Sequence, residues 1–426
     1  MTTIGDIKAR QSPSTFQSRR TERGTSDKSS LECHCPQTAQ VLLFYRYFPS
    51  HPRLHTQKLR NLLRDNATSS DDDNNLLWKK AVNELAIFQE TLCRELHITG
   101  KIRVGIEGIN GTIVGESTEI SEYIVRCQDH WSFDGLDLTS EAAQLAFFKP
   151  TKGCKHAFEG QLSVKIVKEI TPFGQHTWLP NDWLNNQSCT RIEYLSPKEF
   201  HNELQSVKCR SSKSTLVLDA RNHYESNIGY FAEAHCPPIR RFSSLPYYLQ
   251  TQDRLSSEKP DRVLTYCTGG IRCEKAARWI AEQDSVTGTT VATLKGGIHA
   301  YLEWFQQQCS LGVLQPNECL FLGRNFVFDA RGSIGLSLPE AQTCVSSCLR
   351  CARTSSNLTK CPGLGCHLVI VGCETCLAQG SVWCCDGCKR KQLSIRDGRQ
   401  LDKTPCTCEL TRLSKLQVMP RKADGK

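Results

Sequence analysis

The run Cys267-Thr268-Gly269-Gly270-Ile271-Arg272-Cys273 holds the residues best suited to chemistry in this chain. A short hydrophobic strand, Val263 to Tyr266, leads into it, and a segment of helical composition, Arg272 through Glu282, leads out. Two glycines permit the tight curvature that turns successive backbone N–H groups inward, and a helix N-terminus begins at the same point. Such a nest stabilises a thiolate, a persulfide or an oxyanion. Arg272 adds fixed, directional positive charge. A thiol with a reference pKa of ~8.5 is mostly protonated near neutrality, so this field favours the nucleophilic anion of Cys267. Cys267 and Arg272 are therefore the expected catalytic residues, and Thr268, Gly269, Gly270 and Ile271 the expected anion-binding loop. Glu274 and Lys275 follow directly, and their adjacency suits an ordinary solvated helix start as readily as catalysis.

A second kind of chemistry is concentrated near the C-terminus, where twelve of the 24 cysteines fall at or after Cys344. Cys348-x2-Cys351, Cys373-x2-Cys376 and Cys385-x2-Cys388 have the spacing that lets two sulfurs enter one tetrahedral zinc site. Cys361, Cys366, Cys384 and Cys344 supply further ligands, enough for two ions, with His367 either a ligand or a peripheral histidine. The close pairs suit metal thiolates better than a disulfide scaffold, and metal would hold together a module with little apolar core. All-cysteine coordination leaves no position for water, so the expected role of zinc is structural, with an iron–sulfur cluster as the competing reading. Cys406-x-Cys408 stays unassigned, and no organic cofactor fingerprint is evident.

The elements that must position these residues can be read from the whole chain. Its 426 residues suggest two to four domains, and 39% hydrophobic with 23% charged residues fits a folded protein. The formal net charge is +9, and from Cys344 onward fourteen Lys or Arg stand against six Asp or Glu. Such a basic segment suits nucleic acid or an ordinary solvated surface, and Lys389-Arg390-Lys391 shares both readings. No apolar stretch approaches the eighteen residues of a membrane helix, and the first thirty residues lack an apolar signal core. A cytoplasmic protein is expected, with no membrane association. Arg10, Arg19, Arg20 and Arg23 among Ser and Thr leave organelle targeting open, against Asp6, Glu22 and Asp27.

Residues 1–38 read as a disordered extension in which Cys33-His34-Cys35 stands alone. A first domain is expected over 39–172: a strand Val41 to Phe48, a polar loop over 64–75 containing Asp71-Asp72-Asp73, and an amphipathic helix Leu76 to Leu96. Strands Ile102 to Glu107 and Thr112 to Gly115 follow, joined by a tight turn at Gly108-Ile109-Asn110-Gly111. A helix near Thr118 to Cys127 and a strand Leu162 to Ile170 complete a β-α-β-β-α-β, ferredoxin-like order. Arg103, Lys152, Lys155, Lys165 and Lys168 would give this domain a positive face, on which Tyr45, Tyr47 or Phe148 could stack a base if exposed. A connector over 173–193 leads to a second domain over 194–312. Ser196 caps a helix with Pro197 at its first position and Glu199 completing a capping box. Short strands at Leu216 to Leu218, Val263 to Tyr266 and Val291 to Leu294 alternate with helices, the pattern of a parallel α/β sheet whose sites lie beyond the strand carboxyl ends. A connector over 313–343, a cysteine-rich zinc module over 344–410 and a basic tail over 411–426 follow.

The loop resembles that of the rhodanese family, whose active cysteine precedes an arginine by five residues, here Cys267 and Arg272. CTGGIRCEKA, with GIEGINGTIVG at 105–115, LSVKIVKEI at 162–170, LDARNHYE at 218–225, LKGGIHAYLEWF at 294–305 and GRNFVFDAR at 323–331, is more specifically similar to the tRNA uridine hydroxylase (UPF0176) family. The resemblance implies an acylphosphatase-like first domain, a rhodanese-like second domain and oxygen-dependent hydroxylation of the wobble uridine of tRNA, with Cys267 essential and O2 as co-substrate. Cys273 matches a second cysteine of the motif; it resolves a sulfenate or persulfide, or is a small thiol buried in the first helical turn. Asp219 and Arg221 match strand-end positions of the family, Asp219 as an organiser of loops and Arg221 as a partner of Glu225 or of an anionic substrate. Two other functions use the same residues: sulfur transfer through a persulfide on Cys267, or noncatalytic binding of RNA or protein.

Overall fold

The computed structural model describes residues 39–48, 71–158, 160–175, 192–209, 215–251, 260–283, 288–329, 331–336, 344–363, 365–366, 368–396 and 404–416. Cys33-His34-Cys35 and His367 lie outside them. In the first domain, strand β1 (Ala39–Tyr47) is followed by helix α1 (Asp71–Glu95), the hairpin β2 (Thr99–Gly105) and β3 (Gly108–Glu116), helices α2 (Ser117–Gln128) and α3 (Glu141–Phe148), and strands β4 (Thr151–Gly153) and β5 (Leu162–Ile166). The sheet order is β4-β1-β3-β2-β5, antiparallel except for the β2–β5 pair.

Three sequence expectations need correcting here. Asp71, Asp72 and Asp73 open α1 instead of lying in a loop. The hairpin turns at Ile106-Glu107, between the paired residues Gly105 and Gly108, while Asn110 and Gly111 sit inside β3. Both are engaged there: Asn110 Nδ2 donates to Ile170 O at 3.1 Å, and a Cβ on Gly111 would lie 2.4 Å from the Phe44 ring. The strand that closes the β-α-β-β-α-β pattern is β4, beside β1; β5 is an added edge strand beside β2. Between them Ala157 and Phe158 pack with Ala39, Val41 and Val114, so the chain crosses the sheet before it can pair again. The main core of the domain gathers Phe44, Tyr123, Phe133 and Phe148 under α1, α2 and α3.

The second domain is a four-stranded parallel sheet in the order β6-β10-β9-β7, formed by β6 (Ile192–Leu195), β7 (Thr215–Asp219), β9 (Arg262–Tyr266) and β10 (Thr290–Leu294). Helices α4 (Pro197–Cys209) and α8 (Gly297–Ser310) bury Phe200, Tyr301 and Phe305 in one core. α6 (Leu245–Thr251) and α7 (Ile271–Ala281) bury Leu245, Tyr248, Trp279 and Ile280 in another. The short helix α5 (His223–Ser226) lies after β7. The Ser196 cap forms: Ser196 N–H donates to Glu199 Oε2 at 2.8 Å, and Glu199 N–H to Ser196 Oγ at 3.3 Å. Both expected connectors contribute to this domain. Phe173 packs against Phe242 and Trp279, and Ile192 opens β6. Strand β8 (Gly229–Phe231) pairs with β11 (Phe321–Gly323), and Leu320, Phe321 and Leu336 enter the core. A two-residue pairing of β12 (Asn325–Phe326) with β13 (Ser333–Ile334) follows.

The C-terminal module has one hairpin, β14 (Leu358–Lys360) with β15 (Val369–Val371), and helices α9 (Glu374–Ala378), α10 (Asp386–Arg396) and α11 (Thr407–Lys415). The start of the expected basic tail belongs to α11 and is docked. Leu413 and Leu416 pack on the second domain, and Arg412 Nη1 donates to Pro238 O at 2.9 Å. Among the described residues no helix is long and apolar enough to cross a membrane.

Candidate active site and metal-binding module

The loop between β9 and α7 does what its composition suggests. Gly270 has φ +103°, open to glycine at little cost, and from there its N–H donates to Cys267 Sγ at 3.2 Å. The neighbouring loop before α8 braces it: Ile298 N–H donates to Cys267 O at 2.9 Å and His299 N–H to Thr268 O at 3.0 Å. Gly297, at φ +67°, allows that approach, because a Cβ there would fall 2.6 Å from Cys267 O and 2.7 Å from Gly270 N. Cys267 itself is fully buried. Burial opposes a charge on its sulfur, yet the hydrogen bond from Cys273, the field of Arg272 and the N–H groups of Cys273 and Gly270 outweigh it and hold the thiol down at about 6. Cys273 goes the other way: burial and the charge on Cys267 push it well up, and its thiol donates to Gly270 O at 3.1 Å. The pair is thus polarised into one thiolate and one thiol.

Arg272 is held by Glu225, a fully buried carboxylate, through two hydrogen bonds of 2.6 Å each. Thr268 Oγ1 donates to Glu225 Oε1 at 3.1 Å and accepts from Arg272 Nη2 at 3.0 Å, closing a three-residue ring. Glu225 also caps α5 by accepting the Asn222 N–H at 3.2 Å. Arg221 therefore has a different partner from the one expected. Its Nε and Nη2 grip Asp219 at 2.9 and 2.7 Å, Nη2 donates to Gly229 O at 2.6 Å, and its guanidinium lies over the Tyr266 ring. Asp219 further accepts the hydroxyls of Ser226 and Tyr266, both at 3.0 Å. With every carboxylate lone pair used and Arg221 fully buried, the Asp219–Arg221 pair ties the ends of β7 and β9 together.

The first domain roofs the loop. A Cβ on Gly269 would lie 2.8 Å from Leu43 Cδ2, and one on Gly270 would lie 2.9 Å from Tyr45 Oη. Tyr45 Oη donates to Glu274 Oε2 at 2.8 Å and Tyr47 Oη to Ile271 O at 3.0 Å. These tyrosines are engaged at the interface, and Phe148 is buried in the core, so none is an open stacking platform. Lys275 and Glu274 are not a solvated helix start either. Lys275 is fully buried and donates to Glu107 at 2.9 Å, to Glu169 at 3.1 Å and to Thr171 O at 3.1 Å. Sequence reasoning missed Lys149. Its left-handed backbone after α3 and its bonds to Leu43 O and Phe147 O, at 3.3 and 3.1 Å, place its ammonium beside the roof. Burial lowers it to about 8, against the pull of Glu303, Cys267 and Glu274. The only sequence signal was a lysine between Phe148 and Pro150.

Comparison with known proteins fits this architecture part by part. A UPF0176 acylphosphatase-like domain matches residues 78–170, a rhodanese-like domain residues 196–303 and a rhodanese C-terminal domain residues 322–389. Rhodanese-like domain-containing protein 6 of Arabidopsis thaliana is 33% identical over 316 residues, 72% of this chain, which spans 50% of that protein's length. A tRNA uridine(34) hydroxylase of Pseudarthrobacter chlorophenolicus is 30% identical over 301 residues, covering 71% of this chain and 91% of the bacterial protein. The chain belongs to the tRNA uridine(34) hydroxylase family. Another member, from Arthrobacter sp., is 29% identical over 303 residues and covered over 92% of its length.

In this family member the cysteines of the C-terminal module are sorted by the fold. Cys348, Cys351, Cys373 and Cys376 form one group whose sulfurs all lie within 4.8 Å of one another, and Cys361, Cys366, Cys384 and Cys388 form a second. The pairs alternate along the chain, first and third in one group, second and fourth in the other. This interleaving is why the sequence alone did not partition them. The donor chemistry fits a closed metal site: four sulfurs about 2.3 Å from a tetrahedral zinc lie about 3.8 Å apart, and Cys351–Cys373 and Cys366–Cys384 are 3.6 and 3.8 Å apart. Cys344 belongs to neither group; its thiol donates to Ser346 O at 3.4 Å. Cys385 and the unassigned Cys406 fall in a third set with Cys384 and Cys388.

Proposed function

We propose that the protein hydroxylates the wobble uridine of tRNA, using O2 and the Cys267 thiolate. The observation that carries this is the buried Cys267 sulfur accepting the Gly270 N–H at 3.2 Å in the loop before α7, in a chain matched over most of its folded length by hydroxylases of that uridine. Cys267 supplies the nucleophilic sulfur, and the loop N–H groups and Arg272 stabilise negative charge on it. Glu225 and Thr268 hold Arg272 in one orientation, and the backbone N–H of Cys273 donates to the thiolate. A base inside an RNA stack cannot reach a buried sulfur, so the uridine turns out of its stack to meet it. Exposed Arg103, Lys165 and Lys168, on or beside the β2–β5 edge, suit the phosphates of that RNA. Zinc in the two cysteine groups serves structure: all-thiolate sites leave no coordination position for a reacting water. The cytoplasm, where tRNA is met, is the proposed location.

Incubating the purified chain with unmodified tRNA, isotopically heavy O2 and a thiol reductant tests the reading. Inserting one oxygen atom into the uridine while reducing the other to water takes two electrons and two protons, which the reductant supplies. Mass spectrometry of the nucleosides is expected to find one heavy oxygen on the wobble uridine. Transfer of labelled sulfur from thiosulfate with no oxygen gained would instead make the chain a sulfurtransferase.

A further inference from the structure

The second cysteine group does not end at four sulfurs. Cys361, Cys366, Cys384 and Cys388 lie mutually within 4.8 Å, and so do Cys384, Cys385, Cys388 and Cys406. The two sets share Cys384 and Cys388. We propose that this end of the module binds a pair of zinc ions in one six-thiolate cluster, bridged by the sulfurs of Cys384 and Cys388 and completed by Cys406. The proposal rests on the zinc reading above.

Counting neighbours separates one ion from two. In a single tetrahedron each sulfur has three others one edge away, about 3.8 Å for zinc–sulfur bonds of about 2.3 Å. Where two tetrahedra share an edge, a sulfur on that edge has five such neighbours. Cys384 has five within the two sets, namely Cys361, Cys366, Cys385, Cys388 and Cys406. Four of these separations are 3.4 Å to Cys388, 3.6 Å to Cys406, 3.8 Å to Cys366 and 3.9 Å to Cys385. One ion would leave the sulfurs of Cys385 and Cys406 crowded against its ligands without a metal of their own. The backbone is adapted to this crowding: a Cβ on Gly363 would lie 2.9 Å from Cys388 Sγ and 2.7 Å from Cys388 Cβ. A seventh thiol stands aside, since Cys408 Sγ donates to Cys384 O at 3.0 Å.

Charge is consistent with two ions. Six thiols that lose their protons carry six negative charges; two zinc ions offset four of them, where one would offset only two. The second ion also has a structural consequence. Cys406 immediately precedes α11, whose Leu413 and Leu416 pack on the parallel-sheet domain and whose Glu409 pairs with Arg240 at 3.0 Å. It therefore clamps the module to the domain that carries Cys267.

Native mass spectrometry and elemental analysis of the full chain purified with zinc test the proposal. Three ions per chain are expected, one in the Cys348 group and two in the cluster, with Cys406→Ser and Cys385→Ser each retaining two. Wild-type protein with two ions, unchanged in Cys406→Ser, would overturn the bridged pair while leaving the zinc reading intact; protein with no stoichiometric metal would overturn both. Because a cysteine variant can fail to fold, cadmium-substituted wild-type chain provides a second measurement. Spin coupling between two isotopically labelled cadmium nuclei through shared sulfur is expected, and uncoupled resonances would contradict the bridge.

Discussion

At the scale of single residues, the chemistry depends on a balance at Cys267, where burial opposes the thiolate and Cys273, Arg272 and two backbone N–H groups favour it. The sign is that of a depressed acid: the anion persists above about 6 and is lost as pH falls through that value. Ultraviolet titration of wild type against Cys267→Ser should therefore show a thiolate step near pH 6 that the variant lacks, and a step at 8 to 9 would refute the depression (~8.5 being ordinary). Arg272→Met removes the nearest cation and should move the step upward. It also leaves Glu225 buried without its partner, costing about 3–5 kcal/mol in denaturant unfolding. The loop itself was legible in the sequence because strand, glycines, arginine and helix are contiguous. The partner of Arg272 was not. Arg221 and Glu225 stand four apart, the natural spacing for a helical ion pair, but the α5 cap points Glu225 across the site and leaves Arg221 to Asp219.

At the scale of elements, the site depends on two close approaches. Gly297→Ala would place a methyl 2.6 Å from Cys267 O in a left-handed backbone, so activity should fall at least tenfold with a lower melting temperature; a fully active variant would show that the α8 loop need not brace the site. The second approach joins α7 to the first domain through Lys275. Lys275→Met should cost about 3–5 kcal/mol, because Glu107 is then buried without its ammonium, and Glu107→Gln added to it should recover part of the loss. Burial already raises the Glu107 carboxyl. Without Lys275 the folded state holds a proton that the unfolded chain releases, so the variant should lose stability as pH rises above ~4.3. A cost under 1 kcal/mol in urea unfolding would show that the tie is dispensable. Element types were readable from hydrophobic period, whereas pairing was not. Leu162 to Ile170 looks a better strand than Thr151-Lys152-Gly153, yet the three-residue segment closes the sheet, since what decides is which segment reaches β1 once Ala157 and Phe158 cover the sheet.

At the scale of the whole molecule, two domains meet at one loop and a third is fastened beside them. The first roofs it, the second builds it, and the cysteine module is fastened to the second through α11. Removing metal with a chelator should release α11, and amide hydrogen exchange over 407–416 should lose its protection while β9 and β10 keep theirs. Unchanged protection would mean that α11 docks without metal. The connectors were misjudged from composition, because Phe173, Leu320 and Phe321 reach their cores only once the chain has folded back on itself. The most direct test of the central claim is the wobble uridine itself, measured by mass spectrometry of tRNA from cells depleted of this protein and supplied with wild type or Cys267→Ser. Hydroxylated uridine restored by wild type and not by the variant is the expected result; restoration by the variant, or hydroxylation unchanged on depletion, would contradict it.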